Sequence, residues 1–103
     1  MTAAAPDEAT LGGYIAVHQR PPAFEGVDGQ PYSVEIVIDE TGDAAAPVGA
    51  YLFFVRWSAQ AVAGHLETEY LARGVSEAAV RDALGRMPLL SVKATLDAVI
   101  RRG

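Results

Sequence analysis

The segment VGAYLFFVRW, residues 48–57, constrains the fold of this chain more than any other stretch. Aromatic and β-branched residues fill it, and these residue types favour a strand. Both of its alternating sides are apolar, which is typical of a strand that lies at the centre of a sheet or is covered on both faces. The sequence therefore predicts a sheet organised around this strand. One side of this strand carries Leu52 and Phe54. The other side carries Tyr51, Phe53, Val55 and Trp57.

Two further strands are predicted before the central one. YSVEIVID, residues 32–39, alternates apolar and polar side chains except at Val37. The connection ETGDAAAP that follows is too short for a crossover helix, so this strand and the central strand should form an antiparallel hairpin. GYIAVHQR, residues 13–20, also alternates, and we expect a strand there, followed by an irregular loop rich in proline and glycine.

The last third of the chain predicts two helices. Ser76 is placed to cap the first, whose apolar residues recur at helical spacing and which Pro88 ends. A second amphipathic helix follows over residues 91–102. In the first helix, Glu77 and Arg81 have the i,i+4 spacing of a helical ion pair.

Residues 58–73 fit either a helix or a strand. As a helix they present an apolar stripe that Gly74 ends, but Gly64 in mid-helix costs about 1 kcal/mol relative to alanine. As a strand, HLETEYLA alternates Leu66 and Tyr70 against charged residues. Glycines at both ends, followed by a capped helix, favour the strand.

These elements predict an α+β domain, an antiparallel meander of three to four strands with two C-terminal helices packed on one face. Residues 1–10 are small or polar and lack periodicity, so we expect a flexible tail before a single domain over residues 11–103. The chain has no cysteine, which excludes disulfides and thiolate sites. It shows no secretory pattern and no apolar run of membrane-spanning length, so a soluble, cytoplasmic protein without membrane contact is expected.

His65, Glu67 and Glu69 form the first candidate site. Imidazole and carboxylate groups bind zinc, manganese or iron, and the three residues share one face if their segment is a strand. If it is a helix, His65 and Glu69 are one turn apart and again meet. The competing interpretation is a solvated polar face with Leu66 and Tyr70 buried behind it, which is the ordinary situation of Glu and His.

His18, Arg20 and Glu35 form the second candidate site, on the outer face of the strand predicted over residues 13–20 and of its neighbour in the sheet. Arg20 offers charge-assisted hydrogen bonds to an anionic ligand, and His18 offers a proton. Cross-strand polar pairing on a wet face is the simpler explanation of the same residues.

Tyr51, Phe53 and Trp57 form the third candidate. Aromatic residues on both sides of the central strand exceed what one layer of two helices needs, so one side is either further core or a partner surface. Such a surface most simply serves a homodimer, through sheet faces or an edge strand. The charge distribution also fits self-association, because residues 1–50 carry a net charge of −7 and residues 73–103 carry +3.

The sequence accordingly predicts a non-enzymatic protein-interaction or regulatory module that self-associates as a dimer and needs no cofactor. The alternative is a small metal- or anion-dependent enzyme or ligand-binding protein that uses one of the two polar candidate sites. A second alternative is weak nucleic-acid binding through Arg81, Arg86, Arg101 and Arg102 of the basic C-terminal helices. A net charge of −5 disfavours that interpretation, because phosphates repel the acidic half of the chain.

Overall fold

The structure, a computed structural model, describes residues 7–103 of the chain. In that part, three α-helices and five β-strands follow one another, and the α+β class with an antiparallel meander is confirmed. In chain order the elements are α1 (Leu11–His18), β1 (Ala23–Glu25), β2 (Pro31–Glu40), β3 (Val48–Ser58), β4 (Ala61–Glu67), β5 (Ala72–Gly74), α2 (Glu77–Gly85) and α3 (Leu89–Arg102). Within the described residues, no helix is long and apolar enough to cross a membrane.

The predicted hairpin forms the centre of the sheet. β2 and β3 pair antiparallel along most of their length, so both predicted strands and their hairpin are confirmed. The strand order is β1-β2-β3-β4, and β5 pairs with the first residues of β3, beyond the end of β4. Val34, Leu52 and Phe54 are fully buried, because their side of the hairpin faces the helices.

The segment that the sequence leaves open, residues 58–73, contains a strand. β4 follows β3 through a two-residue turn at Ala59 and Gln60, which both have positive φ, 49° and 67°. After β4 the chain stays beside β3, and Thr68 donates its backbone N–H to the carbonyl of Leu52 at 3.0 Å. The strand interpretation is therefore confirmed over β4, and the helix interpretation is wrong.

Both predicted C-terminal helices are confirmed, with small shifts of their bounds. The Ser76 hydroxyl accepts the Ala79 N–H at 3.2 Å and caps α2 as predicted. Pro88 separates α2 from α3, which begins at Leu89 rather than at Ser91. The apolar sides of the helices complete the core against the sheet. The buried core residues are Leu11, Tyr32, Val34, Ala50, Leu52, Phe54, Val80, Leu84, Val92 and Leu96.

The strand predicted over residues 13–20 is wrong, because this segment belongs mostly to helix α1. Thr10 caps the helix by accepting the Gly13 N–H at 3.1 Å. Gly12 lies against Gly85 of α2, where a Cβ on Gly12 would come within 3.1 Å of the Gly85 backbone. Close packing of two helices therefore decides the conformation here, against an alternation that indicates a strand.

The flexible tail predicted over residues 1–10 falls mostly on residues 1–6, which lie outside the described part of the chain. Ala9 is tied to the junction of α2 and α3, since Leu89 donates its N–H to the Ala9 carbonyl at 2.7 Å. The packed structure thus extends N-terminal to the predicted boundary at residue 11.

Candidate functional site

The helices pack on one side of the sheet, and within residues 7–103 no layer covers the opposite side. We call that opposite side the open face. Residues directly opposite each other in an antiparallel pair point to the same side, so the register assigns the side chains to it. The open face carries Ser33, Glu35, Val37 and Asp39 of β2, Tyr51, Phe53, Val55 and Trp57 of β3, Val62, His65 and Glu67 of β4, and Arg73 of β5.

An apolar ridge runs along β3 at the centre of the open face. This aromatic ridge consists of Tyr51, Phe53, Val55 and Trp57. Each of the four is partly exposed, and none belongs to the buried core. Neighbouring strands hold the ridge in place, because His65 stacks on Phe53 with ring centroids 4.9 Å apart, and Trp57 Nε1 donates to Ser33 Oγ at 2.9 Å. The aromatic residues predicted as an interface therefore lie together on a surface rather than in the core.

Carboxylates and one arginine surround the Tyr51 end of the ridge. Tyr51 lies edge-on to Tyr70, with ring centroids 6.1 Å apart, and the Arg73 guanidinium lies over the Tyr70 ring at 5.3 Å. Partial burial raises the pKa of Tyr51 above its ordinary value, and the carboxylates of Asp39 and Glu67 add to this effect. The open face is apolar along its centre, and at this end the two carboxylates outnumber the single guanidinium of Arg73.

One long edge of the sheet is also unpaired in the part of the chain that the structure describes. β1 pairs only with residues 31–33 at the start of β2. The Val34 N–H still bonds outward, to the carbonyl that precedes β1, at 3.3 Å. Because the backbone direction alternates along a strand, the N–H and C=O groups of Ile36, Ile38 and Glu40 point outward as well. They form a row of donors and acceptors without a strand beside it.

The predicted metal ligands, His65, Glu67 and Glu69, are only partly brought together. His65 and Glu67 share the open face on β4, and Glu67 and Glu69 line one groove of about 280 Å³. Glu69 lies beyond the end of β4, and its carboxylate is 4.0 Å from the guanidinium of Arg102. Among residues 7–103, no group of three or more His, Asp or Glu side chains is placed to hold a metal ion. Metal binding by this trio therefore stays a prediction without geometric support.

The predicted ligand-binding residues, His18, Arg20 and Glu35, are also divided. His18 ends α1, and its Nε2 lies 2.8 Å from Oε1 of Glu8. Arg20 and Glu35 line a groove of about 490 Å³ beside the outer side of β2, and Arg81 of α2 lines the same groove. The structure thus joins two of the three predicted residues and adds a second arginine to them.

The arginines considered for nucleic-acid contact have different neighbours. Arg86 forms an ion pair with Asp82 at 2.9 Å, and Arg102 approaches a carboxylate of the linker after β4. The i,i+4 pair predicted between Glu77 and Arg81 is not among the ion pairs of the described residues, and Arg81 lines the groove beside β2. Acidic neighbours therefore already occupy part of the basic surface.

Sequence reasoning missed two features, the unpaired edge of β2 and the position of Arg81 beside it. The edge itself depends on β1 being only three residues long, which no sequence pattern indicates.

Comparison with known proteins yields no relative: no family model, no curated protein and no solved structure matches the chain. The function is therefore argued from the residues and their geometry.

Proposed function

We propose that this chain is a non-enzymatic protein-interaction module that self-associates and that offers its open face to a protein partner. The observation that carries the proposal is the aromatic ridge, which no layer covers within residues 7–103. Tyrosine, phenylalanine and tryptophan are enriched at protein interfaces, because each buries a large area at a small cost in side-chain entropy.

The charges around the ridge define the chemistry of a fitting partner. Glu35, Asp39 and Glu67 share the open face with the ridge and outnumber the basic residue Arg73. A partner that presents apolar side chains at its centre and lysine or arginine at its rim complements this surface, and complementary charge favours both encounter and orientation. An acidic partner would place like charges together.

The polar candidate sites support an enzymatic function less strongly than the aromatic ridge supports a binding function. His18 is paired with Glu8, and His65 is stacked on Phe53. A catalytic imidazole needs a second functional group within hydrogen-bond reach of the same reacting atom. His65 also lines a cleft of about 150 Å³ with Tyr32 and Arg56, but within the described residues the side chains of these two neighbours bond to Asp28 and to the Ala63 carbonyl rather than to His65. The ridge residues, in contrast, already lie side by side.

The fluorescence of Trp57 tests the open face. Trp57 is the only tryptophan of the chain and lies on the ridge, so its emission reports whether the ridge is covered. The probe is a short peptide of alternating leucine and arginine, and the matched control peptide alternates leucine and glutamate. We expect the arginine peptide to shift Trp57 emission to shorter wavelength in a saturable manner, and the glutamate peptide to leave it unchanged.

A charge-reversed variant gives the matching control in the protein. Glu67→Lys reverses a charge beside Phe53 while it keeps all four ridge side chains, and it should weaken binding of the arginine peptide. An equal response to both peptides, or no response to either, would contradict the open face as a binding surface for basic partners.

A further inference from the structure

We infer that two copies of this chain pair through the outer edge of β2, so that their sheets join into one. This inference rests on the proposed self-association and assigns it to particular residues. We define the free edge as residues 35–40, the part of β2 that has no strand on its outer side among the described residues.

The backbone of the free edge is ready to accept a strand. Ile36, Ile38 and Glu40 point their N–H and C=O groups outward, and the register between β2 and β3 contains no bulge. Ile36, Val37 and Ile38 are partly exposed, and the edge contains no proline. Of the common protections of sheet edges, this edge has no bulge and no proline and is not short, but it carries the charges of Glu35, Asp39 and Glu40, which a strand pairing with it must accommodate.

Two possible registers of a symmetric antiparallel pair are unfavourable. In an antiparallel pair, a residue whose N–H and C=O groups point toward the other strand must lie opposite a residue of the same kind. This requirement limits the positions through which the two-fold axis can pass. An axis at Ile36 would use residues 32–34, which already pair with β1 or bond to the carbonyl before it. An axis at Val37 would place Glu35 directly opposite Asp39 of the second copy, and like charges in that position are destabilising.

The register with the axis at Ile38 avoids both problems. Ile36 then lies opposite Glu40 of the second copy, and Val37 lies opposite Asp39 of the second copy. No acidic residue is directly opposed to another, and the paired stretch coincides with the free edge. Ile36, Ile38 and Glu40 of each copy exchange backbone hydrogen bonds across the axis.

Grooves of opposite charge flank the two ends of the free edge. The groove beside Ile36 is net positive, because Arg20 and Arg81 line it together with the single carboxylate of Glu35. A second groove, of about 450 Å³, lies beside Ile38. Its charged lining residues are Asp39, Glu40 and Glu77. In the residues that the structure describes, none of these six side chains takes part in an ion pair.

The two-fold axis brings these opposite charges together. With the axis at Ile38, Glu40 of one copy reaches Ile36 of the other, whose groove holds Arg20 and Arg81. The acidic end of each copy therefore meets the basic end of its counterpart, and symmetry forms every such contact twice. This charge complementarity is the reason to choose a second copy as the occupant of the edge.

Edge pairing leaves the open face available. An axis perpendicular to the sheet keeps both open faces on the same side, so the two aromatic ridges lie on one continuous surface. The dimer and the proposed partner site are thus compatible, and they use different residues.

Sedimentation analysis of the full chain at several concentrations tests the inference with a charge swap. We expect Arg81→Glu and Glu40→Arg, each alone, to raise the dimer Kd by about tenfold or more, because each places like charges together at both symmetric contacts. The double variant restores the opposite pairing and should return the Kd to near the wild-type value. Arg101→Glu makes the same charge change on an exposed position of α3 and should leave the Kd unchanged.

Circular dichroism of every variant confirms that it is folded, and the outcomes separate the two proposals. Single variants with a wild-type Kd, or a double variant without rescue, overturn edge pairing. If Phe53→Ser abolishes the dimer while Arg81→Glu does not, self-association stands and the edge assignment is wrong. A wild-type chain that stays monomeric at every concentration overturns both the inference and the proposed self-association.

Discussion

Phe53 and Phe54 provide a matched test of the open face, because two neighbouring residues of one type lie on opposite sides of β3. Phe54 is fully buried in the core, and Phe53 is partly exposed on the ridge. Phe54→Ala removes a large side chain and leaves a cavity, so the free energy of unfolding should fall by about 3–5 kcal/mol. Phe53→Ala loses its stacking on His65 and part of its buried area, so the fall should be about 1–2 kcal/mol.

Urea denaturation followed by far-UV circular dichroism measures both losses, at protein concentrations that keep the chain monomeric. For a domain of this size 1 kcal/mol corresponds to several degrees in Tm, so thermal melts of the two variants should differ by about 10 °C. Equal losses would refute the reasoning, because they would mean that Phe53 is as fully packed as Phe54 and that the face is not open.

Three further predictions concern the β3–β4 turn, α3 and metal binding. Gln60→Gly relieves a positive φ that costs a non-glycine residue about 1 kcal/mol, so the variant should unfold at a higher urea concentration; an unchanged or lower midpoint would contradict a strained turn. A hydrogen bond from Lys93, together with one from the Val27 N–H, lowers the pKa of Asp97. A carboxyl whose pKa is lowered by folding stabilises the folded state at pH values above its unfolded pKa. The wild type should therefore melt at a higher temperature than Asp97→Asn at neutral pH, and this difference in Tm should shrink as the pH falls below about 4. A difference in Tm that is independent of pH would contradict this role. Zinc and manganese should change the Tm of the wild type and of His65→Ala by the same amount. A rise in Tm that occurs in the wild type and is lost in His65→Ala would restore the metal hypothesis.

The hairpin and the helix cap could be predicted because their signals are local. Alternation along β2 and β3 requires Val34 and Phe54 to be buried and Glu35 to be exposed, as the structure has them. Ser76 likewise signals the start of α2 through its own hydroxyl, which bonds within the same turn. Such features need no knowledge of distant parts of the chain.

The Thr10 cap is a local signal for helix α1, but the residues of the helix itself favour a strand pattern, and packing with a distant helix stabilises the helix instead. Gly12 is unfavourable in an isolated helix, yet it allows close contact with Gly85 of α2. The unpaired edge of β2 depends in the same way on the length of β1. Both features are set by tertiary contacts, which override local preference.

The candidate sites differ for a related reason. The ridge residues stand together because alternation along one strand is a local rule. His65 and Glu67 obey the same rule on β4, but the strand ends before Glu69, whose carboxylate approaches Arg102 instead. Residue type identified possible ligands, whereas only the structure showed which of them meet.

Self-association is the claim on which the proposed dimer depends, and size-exclusion chromatography with light scattering measures it most directly. We predict a mass that approaches twice the 10.8 kDa of the chain as the concentration rises, and that returns toward 10.8 kDa in Arg81→Glu. A mass that stays at 10.8 kDa at every concentration up to about 1 mM would contradict it, since any pairing would then be weaker than about 4 kcal/mol.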